Sequence, residues 1–134
     1  MTETGLSPSL PSTGALTHVS TGTTVAKVNL VDGFLAQGIG VLGMRRLPAG
    51  SGIVMPGVAS IHTLFVPFPL DVLFFDRSFV LMKAVAGVPP WRPLVRCAKA
   101  YYTVELGAGT IDDGDLFQVG SLWRVDRYDV TVRS

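Results

Sequence analysis

The chain has 134 residues, which is the size of one ordinary domain. Apolar residues make up 48% of it and charged residues 16%, which excludes a disordered protein because disorder needs low hydrophobicity and high net charge. Eleven basic and ten acidic residues leave a net charge of +1, so we expect no nucleic-acid partner and no membrane partner. The single cysteine, Cys97, excludes an intramolecular disulfide and a cysteine-based zinc site.

The N-terminal residues are rich in Ser, Thr, Gly and Pro and have no hydrophobic periodicity. This composition predicts a flexible tail over 1–22, in which His18 has no structural role, and a single compact β-rich domain over 23–134. The tail lacks the basic start and the apolar stretch of a secretory signal. The uncharged stretch between Arg46 and Asp71 contains four prolines, which a membrane-spanning helix would not carry at such spacing. We therefore expect a cytoplasmic protein.

Short apolar runs separated by Gly and Pro turns follow in chain order. Alternating residues predict a first strand from Thr24 to Leu30, and Asp32 can cap a short helix near residues 33–43. The run at 71–76 is apolar on both faces, which indicates a central strand covered on both sides. Further strands are predicted at 52–55, 60–66, 79–85, 101–106 and 121–132. The pattern favours a mainly β (α+β) domain, either a small antiparallel β-barrel or a sandwich with that one helix.

Several segments of the chain resemble one known family. Residues 40–48, GVLGMRRLP, are similar to the "GLLGR..LP" segment of the domain of unknown function 192 family. The most specific likeness is PLDVLFFD at 69–76, within FPLDVLFFD, while PWR at 90–92 and VELGAGT at 104–110 resemble later segments of that family. The resemblance covers roughly residues 24–125. It implies a compact β-rich barrel with one helix, and it implies no known enzyme activity or ligand because that family is uncharacterised.

His62 and Asp71 are the candidate catalytic residues. His62 lies in one predicted strand and Asp71 opens the next, so pairing of these strands would place a carboxylate beside the imidazole and tune a general base. A buried polar pair that only fixes strand register is the structural alternative. The nearest hydroxyls, Ser60 and Thr63, lie in no Gly-x-Ser-x-Gly turn. A small hydrolase centred on His62 and Asp71 is therefore the second of two functional hypotheses.

The densest cluster of basic and aromatic residues lies between residues 91 and 102. The residues expected to bind a ligand there are Trp91, Arg92, Arg96 and Tyr101. Guanidinium groups offer fork-shaped donors for carboxylate or phosphate, and aromatic rings offer stacking surface. The structural alternative is a solvated loop with a core tryptophan. We favour a non-enzymatic binding or accessory module whose partner is a small anionic molecule or a protein.

The sequence predicts no metal site and no cofactor. The acidic run Asp112-Asp113-Gly114-Asp115 lacks the spacing and the terminal Glu of a calcium-binding loop, and it indicates a solvated turn. The sequence contains no phosphate-binding loop, no Gly-x-Gly-x-x-Gly directly after a predicted strand and no His-Glu-x-x-His motif. Its high apolar content and few charges make a homodimer a further expectation.

Overall fold

The computed structural model describes residues 10, 12–31, 46–64, 66–112 and 114–127. The fold is mainly β, as the sequence predicted, and the helix predicted near 33–43 lies outside the described residues. The elements are β1 (Thr13–His18), β2 (Thr23–Leu30), β3 (Ser51–Pro56), β4 (Ser60–Ile61), β5 (Leu70–Phe75), β6 (Leu81–Val88), β7 (Val95–Arg96), β8 (Tyr102–Gly107), a short 3-10 helix (Asp115–Phe117) and β9 (Trp123–Arg127). The described ranges contain no helix with the length and apolar character needed to cross a membrane.

Seven strands form one sheet that curls into a half-barrel, in the order β6-β5-β8-β3-β2-β1-β9. Neighbouring strands are antiparallel, except that β2 and β3 run parallel. Strands β4 and β7 form a separate antiparallel pair. As a result, β5 and β8 lie inside the large sheet, whereas β6 and β9 lie at its two edges.

Strand β5 runs through the centre of the hydrophobic core, which confirms the prediction for residues 71–76. All six of its residues are buried, and successive side chains point to opposite faces of the sheet. Leu73 and Phe75 pack into one core cluster, which contains Trp123. Val72 and Phe74 pack into the cluster on the other face. Each buried side chain of this size stabilises the fold by about 1.5–3 kcal/mol, so β5 holds the two cores together.

The two edge strands meet at one end of the large sheet. The Trp123 amide donates to the Phe79 carbonyl at 2.9 Å, and Leu81 exchanges backbone hydrogen bonds of 2.8 Å with Gly120 and Ser121. These contacts close the half-barrel at the first residue of β6. Beyond Leu81, the outer edge of β6 has no strand beside it in the described part of the chain.

The N-terminal region differs from the prediction of a flexible tail over 1–22. Residues Thr13–His18 form β1, which pairs with both β2 and β9, so the tail prediction does not hold for them. His18 is only 8% exposed, its Nδ1 hydrogen-bonds the Thr21 hydroxyl at 2.8 Å, and its ring packs edge-on against Trp123. Threonine favours strands, but a Thr-rich strand with few large apolar residues has the composition of a loop.

The run at 60–66 also differs from its prediction. Only Ser60–Ile61 form a strand, so the prediction of one strand over the whole run is wrong. Thr63 instead makes backbone hydrogen bonds to Trp91 and Arg92 in the loop that follows β6. These bonds bring Thr63 to the site described next.

Candidate functional site

A groove of about 360 Å³ lies beside the open edge of β6. One wall is β6 itself, and the other is the loop after β6 together with β7. The lining residues are Lys83, Val85, Ala86, Gly87, Val88, Pro89, Arg92, Leu94, Val95 and Arg96. Two residues that the sequence predicted to bind a ligand, Arg92 and Arg96, therefore lie in the same groove.

The groove runs along β6, which is an edge strand of the large sheet. Four consecutive residues, 85–88, line it. Side chains do not alternate regularly here, because the step from Val85 to Val88 on β6 stands opposite the shorter step from Val72 to Leu70 on β5. In the described part of the chain no strand lies on the outer side of β6, so the groove borders an open sheet edge.

The rim of the groove is basic and its floor is apolar. Lys83, Arg92 and Arg96 are exposed, and the described lining contains no acidic residue. Neither arginine has an ion-pair partner within the described ranges. Val88 and Val95 are only 3% and 9% exposed and form the floor. This arrangement suits a ligand that combines negative charge with apolar surface.

A buried threonine anchors the loop wall of the groove. Thr63 is completely buried, and its polar groups bond to residues 89–92. Its amide donates to the Arg92 carbonyl and its carbonyl accepts from the Trp91 amide, both at 2.8 Å. Its hydroxyl donates to the Pro89 carbonyl and accepts from the Arg92 amide, both at 2.7 Å. Four hydrogen bonds from one residue therefore fix the turn that presents Arg92.

Trp91 is displayed to solvent directly before Arg92. Its side chain is 59% exposed, which excludes the alternative of a core tryptophan. Its φ of 66° lies in the left-handed region, which costs roughly 1–2 kcal/mol for a residue with a Cβ. The hydrogen bond from its amide to Thr63 holds this conformation. Strained backbone that is held in place by its surroundings is concentrated at functional sites.

Two hydrogen bonds position the β6 wall. The Asp71 carboxylate accepts from the Gly87 amide at 2.8 Å, where Gly87 has a φ of 66° and the β5–β6 register shifts. The Lys83 ammonium donates to the Arg96 carbonyl at 2.9 Å and so links β6 to β7, two elements that line the groove. Because both ends of the wall are tied to other strands, the groove is formed before any ligand binds.

Tyr101 does not belong to the groove lining. The guanidinium of Arg77 lies 4.1 Å from the centroid of its ring, and the ring packs edge-on against Tyr102. The structure therefore brings the two predicted arginines together but places Tyr101 beside a different cation. Its role in ligand binding stays a prediction.

His62 and Asp71 have separate partners in the structure. His62 is exposed, and its Nδ1 accepts from the Leu64 amide at 3.2 Å. Asp71 is 1% exposed, and its two carboxylate oxygens accept from the amides of Gly87 and Ile111 at 2.8 and 2.7 Å. The strands that would join the pair are not neighbours, because β4 pairs with β7 while β5 lies between β6 and β8. A catalytic role for the pair stays a prediction.

Glu105 is a buried carboxyl group that sequence reasoning did not single out. It is 4% exposed, and its Oε1 has no hydrogen-bond partner within the described part of the chain. It pairs in register with Ile53 and Val72, which belong to one core cluster. Burial raises the pKa of the Glu105 carboxyl from 4.5 to about 7. Alternation along β8 could not reveal this burial, because β8 is covered on both faces.

The described residues contain no group of three His, Cys, Asp or Glu side chains that is placed to hold a metal ion. In the acidic run, the Gly114 amide donates to the Asp112 carboxylate at 2.9 Å, which is the hydrogen bond of a local turn. Asp113 lies outside the described residues.

A family model spans most of the chain. The model of the domain of unknown function 192 family, described as "Uncharacterized ACR", matches residues 16–120. The chain belongs to this family. The match confirms the resemblance that FPLDVLFFD and the other segments indicated. The family is one of unknown function, and no curated protein matches this member in sequence.

Two solved structures share the fold of this family member. A proposed transcription regulator from Sinorhizobium meliloti is 16% identical with a TM-score of 0.72, over 89% of this chain and 98% of that chain. A protein of unknown function from Novosphingobium aromaticivorans is 17% identical with a TM-score of 0.68, over 92% of this chain and 99% of that chain. Likeness at these identities shows a common fold and no common function.

Proposed function

We propose that this protein is a non-enzymatic binding module that holds a negatively charged, partly apolar ligand in the groove beside β6. The observation that carries the proposal is the set of three exposed cations, Lys83, Arg92 and Arg96, in a lining without a described acidic residue. The net charge of the whole chain is only +1. A concave site that concentrates cations on a nearly neutral protein provides a local attraction for an anion.

The groove offers different chemistry to the two parts of such a ligand. The guanidinium groups of Arg92 and Arg96 are planar donors that match carboxylate or phosphate oxygens. The valine floor accepts the apolar part, and burial of apolar surface contributes about 25 cal/mol per Å². Trp91 directly precedes Arg92 in the chain and is exposed, but it is not among the residues that line the groove.

Two other functions have less support. A hydrolase centred on His62 and Asp71 would need the two side chains to act together, and each has its own partners. Regulation of transcription, the description of one structural neighbour, would need a strongly basic surface for DNA, whereas the net charge is +1. We also propose a cytoplasmic location, where a lone thiol such as Cys97 stays reduced.

The test compares two probes that share an aromatic body and differ in charge. The probes are 1-anilinonaphthalene-8-sulfonate and its uncharged counterpart N-phenyl-1-naphthylamine. Fluorescence titration gives the Kd of each probe for the wild type and for the double variant Arg92→Gln with Arg96→Gln. We expect the double variant to bind the sulfonate about tenfold more weakly and the neutral probe unchanged, because only the charged probe uses the guanidinium groups.

The matched control is the double variant Arg124→Gln with Arg127→Gln. Both residues are exposed on β9, at the opposite edge of the sheet, so this variant loses the same charge away from the groove. Its affinity for the sulfonate should remain that of the wild type. An equal loss in both double variants, or no loss in either, would contradict the proposal.

A further inference from the structure

The edge of β6 indicates what kind of partner fills the groove. Resting on the proposed function, we propose that the partner is an extended acidic peptide segment that adds to β6 as an additional strand. In the described part of the chain, β6 is the last strand of the large sheet. It pairs with β5 on one side and with no strand on the other. An uncovered edge presents a row of backbone N–H and C=O groups to any chain that lies beside it.

The open part of the edge coincides with the groove. At Leu81 the outer edge bonds to Gly120 and Ser121, and the half-barrel is closed there. From Lys83 to Val88 the strand lines the groove instead, and no strand lies on its outer side in the described part of the chain. These residues span about 16 Å at about 3.3 Å per residue, which is enough to pair with four to six residues of an extended chain. A peptide backbone supplies alternating donors and acceptors at this spacing, and a compact anion does not.

The walls of the groove select acidic and apolar side chains. Because successive side chains of an added strand would point to opposite sides, one set would meet the buried Val88 and Val95 and the other would meet the rim. Arg92 and Arg96 stand on the rim and Lys83 on the strand itself. A peptide in which apolar and acidic residues alternate would therefore fit both the valine floor and the cationic rim.

Charge disfavours a second copy of this chain as the occupant. Two β6 strands paired with each other would bring Lys83, Arg92 and Arg96 of one copy against the same cations of the other. Lysine on an edge strand opposes such self-pairing. An acidic partner turns the same three charges into attractive contacts.

The experiment uses the wild-type protein and a peptide of about eight residues with alternating Val and Glu, acetylated and amidated at its ends. Its comparison peptide has the same sequence with the backbone nitrogens methylated, which keeps the carboxylates and removes the amide donors. Isothermal titration calorimetry gives the two Kd values, and hydrogen exchange reports on the amides of residues 83–86, since the Gly87 amide already donates to Asp71. We expect the methylated peptide to bind at least about tenfold more weakly and the unmethylated peptide to slow exchange at these amides.

The outcomes separate this inference from the proposed function. Equal affinities for the two peptides, both lost in the Arg92→Gln with Arg96→Gln variant, would overturn strand addition and leave the anion-binding groove. Binding of the sulfonate probe without binding of either peptide would also overturn strand addition alone. Failure of peptides and sulfonate alike would overturn both proposals. A dimer in analytical ultracentrifugation whose β6 amides are protected without peptide would show that a second copy occupies the edge, and would overturn the inference.

Discussion

Two hydrogen bonds join Thr63 to Arg92, although the residues stand 29 positions apart in the chain. The Thr63 amide donates to the Arg92 carbonyl, and the Arg92 amide donates to the Thr63 hydroxyl. The side chain of one residue is buried and that of the other is exposed. The two hydrogen bonds therefore fix the backbone of Arg92, a cation on the rim of the groove, against a buried residue.

Removal of the Thr63 hydroxyl should destabilise the fold. In Thr63→Val the Arg92 amide and the Pro89 carbonyl lose their hydroxyl partner, and each polar group left unsatisfied near the core costs about 1–3 kcal/mol. Urea unfolding measures the free energy of unfolding. Thr63→Ser, which keeps the hydroxyl and removes a methyl group, is the matched control. Its free energy of unfolding should fall by less than that of Thr63→Val. A Ser variant that loses as much as the Val variant would show that the methyl group, and not the hydroxyl, is what matters.

Replacement of the Asp71 carboxylate should also destabilise the fold. In Asp71→Asn one oxygen becomes an NH₂ group, which faces an amide donor of Gly87 or Ile111 instead of accepting from it. We expect a loss of roughly 1–3 kcal/mol in the free energy of unfolding. Asp76→Asn is a suitable comparison, since Asp76 accepts two amides through a single oxygen, which Asn also provides. Equal stability of Asp71→Asn and the wild type would contradict the role given to this carboxylate.

The buried carboxyl of Glu105 should make the stability of the protein fall as the pH rises. Its pKa is 4.5 ordinarily and about 7 in the fold, so between these values the folded state binds more protons than the unfolded state. The stabilising contribution is complete below about pH 4.5 and is lost as the pH rises through about 7. The pKa difference corresponds to about 3 kcal/mol.

Glu105→Gln isolates this contribution, because Gln keeps the shape and does not ionise. Urea unfolding at about pH 5 and about pH 8 should show a steeper loss of stability in the wild type than in Glu105→Gln. The variant should be the more stable protein at the higher pH. Identical changes with pH in the two proteins would mean that Glu105 titrates at its ordinary pKa in the fold.

The two tryptophans should respond differently to a soluble quencher. Trp91 is 59% exposed and Trp123 is 2% exposed. Acrylamide should therefore quench the wild type mainly through Trp91, and Trp91→Phe should leave a blue-shifted emission that resists quenching. Stern–Volmer plots measure the difference. Strong quenching that persists in Trp91→Phe would place Trp123 at the surface and contradict the core packing.

Local patterns in the sequence predicted much of the sheet. Alternation identified β2 and β8, and the doubly apolar run identified β5, because burial imposes a period of two or a continuous apolar stretch on a strand. The same reasoning missed β1, whose threonines resemble a loop in composition. It also could not predict that β2 and β3 run parallel, since strand pairing depends on distant parts of the chain.

The candidate site was predictable only in part. The density of charge and aromatic residues in one short segment singled out Arg92 and Arg96, which line the groove. Lys83 and Thr63 were not connected with that segment, because their contacts with it span 13 and 26 to 29 residues. Only the folded sheet brings them together.

Reversing the charge of the groove tests most directly whether Arg92 and Arg96 bind an acidic peptide. The wild type should bind a peptide of alternating Val and Glu and reject the matching peptide of Val and Lys. The double variant Arg92→Glu with Arg96→Glu should reverse this preference by about tenfold or more, since like charges at an interface are repulsive. Circular dichroism of the variant checks that the sheet is intact. An intact variant that still prefers the acidic peptide would show that these arginines do not form the binding site.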